Sequence, residues 1–256
     1  MNQITETPRR ILRLLLRQAD ACANGIRFGF LFVRSRWFKI PRRVFVGGRS
    51  VVLHYPPDQG ARSDFFTCFI RNEYGLRRQL ADVRTILDIG ANVGFFSMTA
   101  RGRYPHSTIH AYEPNPRVLP SLESNTSALN IEIYNEAVGS REGSVEILES
   151  GSSNQAQTTT VGAGSIHQVT LQTAIERLGG SVDLLKLDCE GAEWDMFRLD
   201  ECWKNIRDIR MEYHLFHGET YQQVEQTLQR LGFEVILWKP DAGFGTVWAS
   251  RTTRSQ

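Results

Sequence analysis

The spacing of apolar positions changes several times along the chain, and each change marks an element. Ile11, Leu12, Leu15, Leu16 and Ala19 recur at helical spacing with Arg10, Arg13 and Arg17 on the other face, which predicts an amphipathic helix near the start. Arg43-Val44-Phe45-Val46 and Ser50 to His54 flank Gly47-Gly48 and predict a hairpin. A helix is predicted over Phe65 to Leu80. From Thr85 onward, short apolar runs at Ile86-Leu87-Asp88-Ile89, Thr108 to Tyr112, Ile131 to Tyr134, Val182 to Asp188 and Arg207 to His214 alternate with helical stretches. This alternation predicts an α/β fold with a mostly parallel sheet and helices on both faces. Asn115-Pro116 caps and starts one helix, and Gly232 stops another that runs from Thr220 to Leu231. Phe233 to Trp238 and Thr246 to Ser250 leave no room for a helix between them and predict an antiparallel hairpin at one edge. Gly143 to Leu148 reads as an extra strand, and the polar stretch Ser150 to Ser165 as a loop of lid length.

Composition adds limits. With 41% apolar and 23% charged residues, 256 residues can bury a full core. The division is a basic amphipathic segment over 1–43, a hairpin and helix over 44–84, and a catalytic domain over 85–256. Cys22, Cys68, Cys189 and Cys202 form no C-x-x-C pair, which argues against zinc or a disulfide framework and suits a reducing cytoplasm. No apolar run approaches the ~18 residues of a membrane span. Arg13 and Arg17 interrupt the stretch a secretory signal would need.

Charge is unevenly placed. Residues 1–43 hold ten basic and two acidic side chains, or +8, which leaves −6 for the remainder of a chain of net charge +2. The amphipathic helix has two outcomes: peripheral contact with an anionic membrane through residues 9–43, at the inner face, or packing on the catalytic domain with its arginines solvated. A nucleic-acid partner is not expected, because the catalytic part is acidic and has no N/D-P-P-Y/F segment. Oligomeric state is not legible.

Two strand ends carry chemistry. Ligands of open α/β sheets bind beyond the carboxyl ends of the strands. Asp88-Ile89-Gly90-Ala91-Asn92-Val93-Gly94 is a strand end and glycine turn, yet it meets neither G-x-G-x-x-G nor the lysine-bearing phosphate loop. Asp88 at the turn favours a cation over a phosphate, and Glu113 closes the second strand where an acid can accept ribose hydroxyls. A ribose, a charged amino-acid tail and no phosphate describe S-adenosyl-L-methionine.

Leu87 to Gly94, Ala111-Tyr112-Glu113-Pro114-Asn115 and Leu185-Lys186-Leu187-Asp188-Cys189-Glu190-Gly191-Ala192-Glu193 together resemble the FkbM-type family of class I methyltransferases, over roughly Arg71 to Ser250. The resemblance implies a Rossmann-like, seven-stranded sheet whose last strand is inserted antiparallel. It implies that Asp88, Gly90, Asn92 and Gly94 surround the methionine part of the cofactor, that Glu113 holds the ribose and Asn135, Glu136 and Ala137 lie near the adenine, and that Val93 and Pro114 also belong to the cofactor site. It also implies methyl transfer to a hydroxyl of a small-molecule, sugar or lipid-linked acceptor.

A hydroxyl acceptor needs a base, and His214 is the best candidate by type and position. Lys186 and Asp188 share one strand face, as do Glu212 and His214, so four ionisable groups converge if the strands are neighbours. Lys186 and Glu212 are then either catalytic or an ion pair joining the strands. No metal site is fixed by a close carboxylate motif, although Asp188 with Glu190 or Glu212 offers oxygen ligands for a divalent metal. A nicotinamide-dependent oxidoreductase is disfavoured by Asn92 where a glycine should stand. A non-catalytic membrane-associated binding module is disfavoured by the joint presence of Asp88, Glu113, Asp188 and His214.

Overall fold

The computed structural model describes residues 6–33, 38–77, 80–148, 157–159, 164–216, 218–241 and 243–251. It begins with α1 (Glu6–Arg27), the hairpin β1 (Arg43–Val46) and β2 (Arg49–Val52), and α2 (Gln59–Phe65), which continues as a π-helix over Phe66–Arg71. Then come β3 (Thr85–Ile89), α3 (Phe95–Arg103), β4 (Thr108–Tyr112), α4 (Leu119–Thr126), β5 (Glu132–Tyr134), β6 (Ala137–Gly139), β7 (Gly143–Leu148), β8 (Gln157–Thr159), β9 (Ile166–Thr170) and α5 (Leu171–Arg177). The chain ends with β10 (Val182–Leu187), the short α6 (Glu193–Met196) and α7 (Asp200–Trp203), β11 (Ile206–His214), α8 (Tyr221–Arg230), β12 (Phe233–Pro240) and β13 (Phe244–Arg251).

Seven strands form the main sheet in the order β12-β13-β11-β10-β3-β4-β5. β11, β10, β3, β4 and β5 are mutually parallel. β13 runs antiparallel to both neighbours and enters between β11 and β12, so the hairpin predicted at the edge contributes one edge strand and one interior strand. This is the Rossmann-like class I methyltransferase arrangement that the motifs imply. The central strand β10 is apolar except at Asp183 and Lys186, because helices cover both faces; Leu184, Leu185 and Leu187 are fully buried. A second, four-stranded sheet, β6-β9-β7-β8, stands beside β5 in sequence.

Three local predictions need correction. The helix expected over 65–80 starts at Gln59, because the Asp58 carboxylate accepts from the Ala61 N–H at 2.9 Å, and it ends at Arg71, where Asn72 takes a left-handed conformation (φ 51°). Residues 78–79 lie outside the described ones. Asn115-Pro116 makes a turn, with Asn115 Oδ1 accepting from Arg117 N at 3.0 Å, and α4 starts at Leu119 with Pro120 in its first turn. Of the polar stretch 150–165, residues 157–159 pair with β7 as a strand; 150–156 and 160–163 lie outside the described residues.

The N-terminal helix is docked on the domain, but not by the predicted stripe. Ala21, Asn24 and Phe28 are buried, and the Asn24 amide donates to Ile70 O at 3.1 Å on the π-helix. Leu12, Leu15 and Leu16 remain 56%, 62% and 57% exposed. The expected side-chain positions of Arg10, Ile11 and Arg13 lie outside the described residues. Phe65 and Phe69 of α2 and the π-helix meet Phe95 of α3 edge to face at 5.6 and 5.7 Å, which ties residues 59–71 to the first turn of the cofactor helix.

Candidate active site

A cleft lies beyond the carboxyl ends of β3, β4 and β10. Its glycine turn is built by backbone conformation. Gly90, Asn92 and Gly94 all have positive φ (78°, 48° and 85°), which swings the chain from β3 into α3. Gly90 is required for a second reason: a Cβ there would sit 1.7 Å from the carbonyl oxygen of Asp188.

The amides of this turn are already used. Gly90 N and Ala91 N both donate to Tyr112 O at 3.0 Å, and Asn92 N donates to Glu113 Oε2 at 2.7 Å. A pyrophosphate site needs such amides free to face the anion, so the turn is not one. Among the described residues, the cleft lining also carries Asp64, Glu113, Glu136, Asp188 and Glu190 against one cation, Lys186, which makes it fit for a positively charged ligand. That is the donor chemistry S-adenosyl-L-methionine requires, with its sulfonium and ammonium groups.

Gly90, Asn92, Glu113, Pro114, Glu136 and Ala137 line the cleft. Glu113 is 7% exposed; besides Asn92 N it accepts from Asn115 N at 2.8 Å, and each oxygen keeps a lone pair for a hydroxyl. Burial lifts its carboxyl to about 7, against the pull of those two amides and Lys186. Glu136 is paired with Arg177 and with His167 at 3.0 Å, and its carboxyl is lowered despite partial burial because those partners outweigh desolvation. His167 is thereby directed to this edge.

Four expected cofactor residues do not line the cleft. Asp88 is fully buried: its Oδ2 accepts from Ser97 Oγ of α3 at 2.6 Å, and its Oδ1 lies 3.6 Å from Lys186 Nζ. Burial raises its carboxyl, partly offset by Lys186 and Ser97. It braces the strand tips from behind and does not face the ligand. Val93 is packed in the core with Phe65, Phe69 and Phe95. Gly94 lets α3 approach α4, since a Cβ would meet Leu122 at 2.8 Å. Asn135 is exposed and donates to Glu113 O at 2.8 Å.

The other half of the site is made of side-chain charge. Lys186 pairs with Asp88 at 3.6 Å and Asp188 at 3.5 Å and donates to Gly90 O; it does not pair with Glu212. The reason is registry, since Lys186 lies opposite Asp88 across β10 and β3 and reaches toward that strand. Burial disfavours the ammonium, but Asp188 and Asp88 outweigh it and hold its pKa above the ordinary value. Tyr74 OH donates to Asp188 Oδ2 at 3.1 Å.

His214, at the end of β11, gathers three glutamates: Nε2 is 3.4 Å from Glu190 and 3.8 Å from Glu212, and Nδ1 is 3.6 Å from Glu193. Burial opposes the imidazolium, but Glu193, Glu190 and Asp188 prevail and lift His214 to about 9. Burial and Asp188 push Glu190 to about 8 and Glu212 to about 9. His214 is therefore one member of a proton-sharing cluster. Glu190 has φ 53°, a conformation costly for a residue with a side chain and tolerated where the surroundings enforce it. Among the described residues, Asp188, Glu190 and His214 also bring donor atoms within 4.8 Å of one another, a spacing that suits a divalent cation.

Several site residues carry no sequence signal. Asp64 of α2 accepts from the Asn92 side-chain amide at 2.5 Å, and Thr67, Cys68 and Tyr74 complete the same wall. Glu193, fully buried, accepts from Cys189 N at 3.0 Å while facing His214; its place as the last acid of the K-x-D-x-E-G-x-E segment was the one available hint.

Comparison with known proteins agrees with this geometry. Methyltransferase 1 of Beauveria bassiana is 27% identical over 186 residues, 61% of this chain and 74% of that protein. Methyltransferase sdnD of Sordaria araneosa is 26% identical over 221 residues, 65% and 81% of the two chains. A shorter match, 36% over 58 residues covering 23% and 21%, is to 31-O-demethyl-FK506 methyltransferase FkbM of Streptomyces tacrolimicus. The methyltransferase FkbM domain profile matches residues 88–235, which hold the glycine turn, Glu113 and the whole strand-tip cluster. The chain belongs to the FkbM family of S-adenosylmethionine-dependent methyltransferases.

Proposed function

We propose that this methyltransferase transfers its methyl group to oxygen, on a hydroxyl of a small-molecule, sugar or lipid-linked acceptor. The observation that carries the reading is the cluster of His214, Glu190 and Glu212, which reaches the cleft through Glu190 and which, once it has given up one of its own protons as pH rises toward about 8 to 9, accepts the proton of a hydroxyl that is otherwise a poor nucleophile. The bound cofactor supplies an activated methyl carbon. Glu113, Asn92 and Asp64 are the side chains that hold it, and Lys186 fixes the two strand tips that meet at the cleft. The acceptor hydroxyl is placed by Asp188 and surrenders its proton to the histidine–glutamate cluster.

Phe216 and Phe244 stack with the His214 ring, at 5.2 and 6.4 Å, and are 47% and 39% exposed. They give the acceptor an apolar surface beside the base, which suits a ring-bearing natural product or the apolar face of a sugar. The FK506-directed relative, whose name records a 31-O position, supports the same atom as acceptor.

The test is incubation with methyl-deuterated cofactor and a panel of hydroxyl, amine and carbon acceptors, followed by mass-spectrometric location of the label. Label on oxygen, reduced about 100-fold or more by His214→Ala with cofactor affinity retained, is expected. Label confined to nitrogen or carbon defeats the proposal.

A further inference from the structure

Among the described residues, the apolar stripe of α1 has no partner. At helical spacing Leu12, Leu15, Leu16, Ala19, Ala23 and Ile26 fall within a band of about 100°, four turns long. All six are exposed, with Leu12, Leu15, Leu16 and Ile26 at 56% to 67%. The buried face, marked by Ala21, Asn24 and Gly25, is centred on the opposite side of the same helix. The segment after the helix then turns back beside it: Cys22 Sγ donates to Phe32 O at 2.8 Å, and the Gln18 amide donates to Val33 O. Leu31 and Val33, 70% and 58% exposed, extend the stripe along that margin. A contiguous apolar surface of this kind is rare on a free-standing soluble face and marks an interaction site.

We propose that this surface lies on an anionic lipid bilayer, with the helix in the plane of the interface. Among the described residues no helix is long and apolar enough to cross a membrane, so the contact is peripheral. Charge selects the partner. The same 43 residues carry +8, with Arg17, Lys39, Arg42 and Arg43 exposed, while the rest of the chain carries −6. Anionic headgroups act over a Debye length of about 8–10 Å, comparable to the diameter of a helix, so basic side chains on its other face, such as Arg17, still feel the surface. A second copy of the chain is disfavoured by the same count, because apposing two stripes would bring two +8 segments together. The excess of negative charge on the remaining residues turns the catalytic body away from the bilayer.

The experiment is sedimentation of the full chain with vesicles of phosphatidylglycerol and phosphatidylcholine, and with phosphatidylcholine alone. It reads binding, not methyl transfer, so its outcome is independent of the acceptor assignment. The wild type is expected to bind the anionic vesicles about tenfold or more better than the neutral ones, and Leu15→Glu/Leu16→Glu to lose about tenfold or more of that binding. Because both leucines are exposed, the double variant should keep the wild-type melting temperature, which checks its fold. Wild-type protein left in the supernatant with anionic vesicles overturns the proposal. Equal binding by the double variant overturns it as well. A concentration-dependent dimer that the variant abolishes, without vesicle binding, assigns the stripe to a second copy instead.

Discussion

The two halves of the cleft are made of different material. On the β3–β4 side the chain is held by backbone: three residues with positive φ, two amides on one carbonyl, and a glutamate clamped by the N–H groups of Asn92 and Asn115. On the β10–β11 side it is held by ionisable side chains, with His214 among three glutamates and Lys186 between two aspartates. A nucleoside ligand of constant shape suits the first, which can be rigid. Moving a proton requires the second, where several groups lie close enough to shift one another's affinity.

Four measurements would break or sharpen this contrast, beginning with the largest effect. Gly90→Ala strikes the backbone half: with φ at 78° and a Cβ 1.7 Å from Asp188 O, it should destabilise the fold by about 3 kcal/mol or more and abolish cofactor binding. Chemical denaturation and calorimetric titration read both. A variant as stable as the wild type would show that the turn tolerates rearrangement. His214→Ala strikes the charged half alone, and kcat should fall by about 10² to 10⁴ while cofactor Kd changes by less than about threefold. Equal losses in kcat and affinity would mean that the halves are not separable.

Glu113→Gln removes charge but keeps the shape, so cofactor affinity should weaken by about 10- to 100-fold with kcat at saturation retained. The smallest effect is on stability against pH. Glu113, Glu190 and Glu212 hold their protons to about 7, 8 and 9 in the folded chain against an ordinary 4.5, and His214 to about 9 against 6.5. Folding therefore takes up protons, and the melting temperature should fall by a few degrees as pH rises from about 6 to 9. Glu212→Gln should flatten that slope, whereas a melting temperature rising with pH would contradict the arrangement.

How much was legible follows the same division. The glycine turn, the strand tips and the late antiparallel strand are local patterns, since positive φ needs glycine or asparagine and a strand needs its apolar run. Asp64 and Tyr74 reach the cleft from outside the alternating region, where α2 and the π-helix carry no motif, so nothing in their neighbourhood pointed to a site. Asp88 illustrates the opposite error: it stands in the motif, yet Ser97 and Lys186 hold it behind the cleft surface. A motif fixes where a residue lies along the chain; which neighbour claims its side chain is decided by the packing of α3. The reading of Lys186 against Glu212 failed for a similar reason, since two strands flank β10 and sequence alone does not say which one a long side chain will serve.

The insertion of β13 between β11 and β12 has a consequence for biogenesis. Once the polypeptide has emerged from the ribosome as far as Pro240, β11 can meet β10 on one side, but its other edge still waits for Phe244–Arg251. Until that stretch emerges, the nascent molecule presents an unpaired, greasy border of the kind that chaperones guard. Cutting the gene before codon 244 should therefore yield inclusion bodies and not a smaller working enzyme.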